Sequence, residues 1–214
     1  MDVISFNKTN FDFESEVIMK AMFLLVFILL FPFSSYAQEE TLLDGDIESG
    51  GFGGPVIKVT TLNGENAIMV GGRGGWLINH SFVLGGGGYG VTTNVNALVT
   101  DTIKRFLDMG YGGVDLEYIA SSDELLHLTM GLLVGGGGIG YRNENEDSFN
   151  TQRHMDTFFV LEPAVHAELN ITHFFRIAAG VSYRYITGLS NNNVSTDSKL
   201  SGPAALLVFK FGEF

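Results

Sequence analysis

Residues 174–186 read FFRIAAGVSYRYI. Phe175, Ile177, Ala179, Val181, Tyr183 and Tyr185 share one parity; Arg176, Ala178, Gly180, Ser182 and Arg184 share the other. Side chains on a strand alternate between two faces, so this stretch predicts a β-strand with one apolar, aromatic face and one polar or small face. The same alternation recurs upstream. Phe159, Leu161, Pro163, Val165, Ala167 and Leu169 oppose Glu162, Ala164, His166 and Glu168. Leu126, Leu128, Met130, Leu132 and Val134 oppose His127, Thr129 and Gly131, and Val114, Leu116 and Tyr118 oppose Asp115 and Glu117.

Extended in both directions, period two predicts eight strands, at 52–62, 67–78, 82–92, 109–119, 125–142, 157–169, 174–186 and 203–213. Asn63-Gly64-Glu65-Asn66 carries the Asn-Gly hairpin signal. Asn79-His80-Ser81, Ser121-Ser122-Asp123-Glu124 and Asn170-Ile171-Thr172-His173 also read as tight turns, whereas 93–108, 143–156 and 187–202 are long and polar. After the first, the connections therefore alternate short and long. That parity belongs to an up-and-down barrel crossing a membrane, with tight periplasmic turns and longer external loops. An even strand count returns both ends to one side. The apolar face is expected to meet outer-membrane lipid. Trp76, Tyr89, Tyr111, Tyr118 and Tyr185, near strand ends, are expected at the membrane interface. A closed barrel pairs every backbone group without an exposed edge. A soluble barrel with its apolar face inside is the architectural rival.

The segment before the strands reads as an address. Met19–Ala37, MKAMFLLVFILLFPFSSYA, has a Lys, an apolar run from Ala21 to Phe33 containing Pro32, and small residues at Ser35 and Ala37. This is the pattern of a secretory signal peptide cleaved after Ala37, and the run is too short for a transmembrane helix. Residues 1–18 carry Asp2, Asp12, Glu14 and Glu16 against Lys8, the wrong charge for such a leader, so Met19 is the expected start. Residues 1–37 are set aside from the fold, 38–50 are expected as a flexible periplasmic tail, and 51–214 as the barrel domain.

Composition narrows the function classes. The net charge of −12 offers no basic patch for nucleic acid. The absence of cysteine removes disulfides, thiolate metal sites and a lipid-modified Cys. Twenty-eight glycines and a charged fraction of only 17 % fit a wall that faces lipid outside and crowded side chains inside.

On these patterns the stretch 51–214 resembles the small eight-stranded outer-membrane barrel proteins of Gram-negative bacteria, the OmpX-like and OmpA-transmembrane-domain-like class. The resemblance implies an all-β, transmembrane, up-and-down antiparallel barrel in the outer membrane. It also implies that the C-terminal Phe214 is the signal read by the barrel assembly machinery. Strict alternation from Phe214 is broken, because Phe214 shares a parity with Gly212 and Lys210 while Phe209 and Phe211 take the other. Either a bulge lies near Gly212 or Phe214 lies outside the last ladder.

Candidate chemistry is sparse. Gly85–Gly90 and Gly135–Gly140 fit G-x-G-x-x-G, but neither opens a helix, so no nucleotide and no other cofactor is expected. The inward parity carries Lys58, Arg73, Arg176 and Arg184 with Asp115, Glu117, Glu162 and Glu168, joined by His166. Eight strands leave an interior that side chains can fill, so these are expected to form a charged network that closes the lumen. His127 and His166 would need a nucleophile in reach to catalyse, and nothing places Ser182 or Thr129 there. His154 with Asp156, or His173, lacks the spacing of a metal site. The expected function is non-enzymatic, envelope-structural or surface-interacting, through long acidic loops (NENEDS at 143–148, Asn191–Asn193) able to meet an extracellular ligand. A narrow channel for small solutes or ions and a lipid-modifying barrel enzyme are the alternatives.

Overall fold

The computed structural model describes residues 48–97, 105–143, 156–189 and 195–214. The expected signal peptide, residues 38–47 of the expected tail, His154 and most of the acidic loop residues lie outside them. Eight antiparallel strands close into a barrel in sequence order: β1 (Ser49–Leu62), β2 (Glu65–Ile78), β3 (Phe82–Val91), β4 (Arg105–Ala120), β5 (Leu126–Asn143), β6 (Asp156–Thr172), β7 (Phe175–Thr187) and β8 (Gly202–Glu213). A four-residue helix, α1 (Asp197–Leu200), precedes β8. Closure is through β1 and β8, so the sheet has no free edge.

The turn chemistry explains the register. Asn63 (φ 52°) and Gly64 (φ 83°) both adopt the left-handed conformation of a two-residue hairpin turn, and β1 and β2 pair without a slip from Leu62↔Glu65 to Ser49↔Ile78. Asn79 and His80 do the same beneath β2 and β3, where Ser81 N–H donates to the Ile78 carbonyl at 3.1 Å. Proline leaves its mark on the ladder. The β1–β8 pairing lapses at Gly54-Pro55 and the β6–β7 pairing at Glu162-Pro163, because proline has no N–H to give.

The connections sort by end as expected. Residues 79–81, 121–125 and 173–174 lie at the end that carries Ser49 and Glu213; 63–64, 92–97, 188–189 and 195–201 lie at the other, with the strand end at Asn143. One turn is corrected. Asn170–Thr172 is strand, not turn, and the β6–β7 register shifts between Asn170 and Thr172. Its polar residues suggest a turn from sequence, but a bulge accommodates them within the ladder.

Outward positions form an apolar belt that includes Val59, Leu84, Val114, Leu128 and Val181, all more than half exposed except Leu84 at 50 %. Trp76, Tyr118 and Tyr185 are exposed on it, and Phe82 packs on Tyr118 with ring centroids 5.2 Å apart. Two expected interface aromatics are corrected: Tyr89 and Tyr111 are buried in the lumen. Their parity is that of Gly87 and Asp115, and the glycines leave room for the rings. A Cβ on Gly87 would lie 2.9 Å from the Tyr89 hydroxyl.

The last strand resolves the broken alternation. β8 runs without a bulge to Glu213, and Phe214 lies beyond it. Its ring turns into the barrel mouth and stacks on Phe52 at 6.0 Å.

Candidate functional site

The barrel interior is where the chemistry-bearing residues converge. The end carrying Ser49 and Glu213 opens as a depression of about 750 Å³ lined by Asn79, His80, Asp123, His173, Arg176 and Phe214 among others. Its floor is the guanidinium of Arg176, 4.0 Å over the Phe214 ring. Phe52, Leu77, Val83 and Ile119 pack beside Phe214 as an apolar collar.

Above the collar, Glu168 on β6 is the hub of a buried ion-paired cluster. Lys210 donates to Glu168 at 2.6 Å and to Glu117 at 2.7 Å. Arg73 Nη2 reaches Glu117 at 2.7 Å and Asp115 at 2.6 Å. Arg176 and Thr129 approach Glu168 at 3.4 Å each. His127 Nε2 is 3.7 Å from Glu168, too long for a hydrogen bond.

A second cluster sits nearer the opposite end. Glu162 accepts from Lys58 (2.8 Å), Tyr111 (2.6 Å) and Ser182 (2.6 Å). The Lys58 ammonium also lies 3.4 Å over the Tyr89 ring. Taking a carboxylate and an ammonium out of water is costly, and here both have their remaining hydrogen-bonding capacity engaged. Four cations, Lys58, Arg73, Arg176 and Lys210, face four carboxylates, Asp115, Glu117, Glu162 and Glu168.

Arg184 borders the Glu162 cluster, its guanidinium 5.9 Å from the centre of the Tyr111 ring, and bonds chiefly to the connection before β8 and to β1. Its Nε donates to the Leu200 carbonyl at 2.8 Å and its Nη2 to Thr60 at 3.3 Å. It thereby fixes α1 over the barrel, with Leu200 fully buried. Below α1 the lumen is apolar: Met69, Leu107, Met109, Ile139, Phe158 and Ile186 form one buried cluster with Val95 and Leu200. Asn63 clasps this end together. Its N–H donates to the Lys199 carbonyl (3.1 Å), its amide to the Asn96 carbonyl (3.0 Å), and it accepts from Ser195 (2.5 Å). Glu65 accepts from Asn96 twice, at 2.8 and 3.2 Å. The short first connection is thus a seat on which residues 92–97 and 195–201 rest.

All nine residues expected in the lumen are buried; Arg184 bonds the Leu200 carbonyl and Thr60, and neither nitrogen of His166 has a hydrogen-bond partner among the described residues. Lys210 was not among the expected members, although it shares the parity of the buried Val208 and Leu206. Ser182 and Thr129 each donate to a carboxylate, and among the described residues no imidazole holds either hydroxyl. Among the described residues, no group of three or more His, Cys, Asp or Glu gathers to hold a metal.

No protein-family model and no curated protein matches the chain. Solved structures do. Neisserial surface protein A is 11 % identical, with a TM-score of 0.54 over 78 % of this chain and 99 % of that one. The N-terminal β-barrel domain of Pseudomonas aeruginosa OprF is 14 % identical, with a TM-score of 0.46 over 77 % and 96 %. Ail, the attachment invasion locus protein of Yersinia pestis, is 14 % identical, with a TM-score of 0.42 over 77 % and 97 %. With its closed ring of eight antiparallel strands and its apolar outer belt, the chain has the fold of the small eight-stranded outer-membrane β-barrels.

Proposed function

We propose that this chain is a non-enzymatic outer-membrane protein whose barrel is a sealed support for the connections at the end capped by α1. The observation that carries this reading is the filled lumen. Two ion-paired clusters and an apolar core stack from the collar at Phe52 to Leu200, and the internal cavity between the clusters measures only about 20 Å³. A solute path would have to break buried ion pairs whose loss is expensive. The hydroxyls of Ser182 and Thr129 lie inside the barrel, bonded to carboxylates, and offer no nucleophile to a lipid substrate at the outer surface.

On this reading, cleavage after Ala37 delivers the mature chain to the periplasm, residues 38–47 stay there, and Phe214 is read by the barrel assembly machinery. The outward belt meets outer-membrane lipid. The long connections 92–104, 144–155 and 188–201 then face outside, where the acidic stretch 143–148 contributes to envelope structure or contacts an extracellular ligand. Reconstitution of the folded protein in planar bilayers tests the sealed lumen. The expected result is a flat baseline across the voltage range; reproducible stepwise conductance would overturn the reading in favour of a narrow channel.

A further inference from the structure

We infer that the lumen holds one structural water molecule between His166 and Arg73. His166 is 1 % exposed, and its ring lies so close over β7 that a Cβ on Gly180 would sit 2.8 Å from its Cδ2. Neither ring nitrogen finds a partner among the described residues, and neither does Nε of Arg73. Buried polar atoms in folded proteins are nearly always bonded, to protein or to ordered water. Both residues line the internal cavity of about 20 Å³. One water needs about 10–15 Å³ of such volume and two to four polar neighbours, so the space admits one and no larger ligand.

The charge pattern selects a neutral occupant. Lys58, Asp115 and Glu162 also line the cavity. Lys58 is already paired with Glu162, and Arg73 Nη2 with Asp115 and Glu117. An added ion would meet no unbalanced charge, whereas water can donate to or accept from the imidazole and accept from Arg73 Nε. The molecule would join His166, through Arg73, to the cluster around Glu168.

Gly131 makes the inference testable. It lines the cavity, and a Cβ there would meet nothing nearer than the Leu116 carbonyl oxygen at 3.7 Å. Filling a dry cavity with a methyl raises stability; displacing a bonded water lowers it. Urea unfolding in detergent micelles of Gly131→Ala is expected to show a lower midpoint than wild type. In a His166→Leu background, which carries the same backbone change without the imidazole, Gly131→Ala is expected to be neutral or stabilising. A midpoint raised in the wild-type background would overturn the inference. A crystal structure at about 1.5 Å is expected to show one water in contact with a His166 nitrogen, and a cavity without density would overturn it equally.

Discussion

The ammonium of Lys210 on β8 lies 2.6 Å from the carboxylate of Glu168 on β6, with β7 between them. The same ammonium holds Glu117 of β4 at 2.7 Å, so one side chain ties three strands together through the lumen. All three side chains are fully buried. Removing the cation leaves Glu117 to Arg73 alone and Glu168 with only the long contacts of Arg176 and Thr129, in a water-poor interior. Lys210→Met is expected to destabilise the barrel by about 3–5 kcal/mol, read as a lower urea midpoint in micelles. Adding Glu168→Gln to Lys210→Met is expected to recover part of that loss, which a purely steric role for Lys210 would not allow.

The glycine-rich strands give a second prediction, in which position decides the outcome. A Cβ on Gly135 would lie 2.1 Å from the Gly112 carbonyl oxygen on β4, a distance that only backbone movement can relieve. A Cβ on Gly53 meets nothing within 4 Å. Gly135→Ala is expected to cut the yield of folded barrel in refolding assays, and Gly53→Ala to leave it unchanged. Equal behaviour of the two would show that these glycines serve local chain flexibility instead of close strand approach.

Most of the fold could be read from the sequence because lipid and lumen impose opposite demands on neighbouring residues. Where that contrast is strong, as between Phe175 and Arg176 or Leu161 and Glu162, parity assigns every side chain correctly. Where it fades, the reading fails. On β8 the inward Ala204, Leu206 and Val208 and the outward Ala205 and Leu207 are alike, so Lys210 is marked as a lumen residue only by the opposite parity of Phe209 and Phe211. The half of the lumen beneath α1 is apolar, so Met69, Met109 and Phe158 are inward although polarity would place them outside. The chemistry of Tyr89 and Tyr111 suggests interface aromatics, against their own parity, which points inward. The seating of α1 joins Lys199 to Asn63 on the first hairpin and, through Arg184, Leu200 to Thr60 on β1, contacts between distant parts of the sequence for which no local pattern exists.

That seat leads to a third prediction. Arg184 bonds the last carbonyl of α1, and Leu200 is its fully buried anchor. Arg184→Met and Leu200→Ala are each expected to loosen the connection 188–201 without unfolding the barrel. Limited proteolysis of the folded protein should then cut within this connection faster than in wild type, while the cut barrel keeps its mobility on an unheated gel. Unchanged cleavage in both variants would mean that α1 is held by other contacts.

A fourth prediction separates the two roles of Phe214. Its ring stacks on Phe52 and sits under Arg176, so it contributes to packing at the barrel mouth. As the proposed assembly signal it also acts before that packing exists. Phe52→Ala removes the same ring pair from the other side. Phe214 deletion is expected to reduce assembly in cells well below Phe52→Ala, even where the two refold in micelles with similar midpoints. Matching assembly yields would assign Phe214 to packing alone.

The central claim is that these eight strands close as a barrel within the outer membrane, with the apolar belt in lipid and the ion-paired clusters inside. The most direct measurement is the gel mobility, unheated and boiled, of the protein recovered from fractionated cells. The account expects the protein in the outer-membrane fraction, running compact until boiling unfolds it to its full apparent mass. Protein in the soluble fraction, with the same mobility before and after boiling, would contradict it.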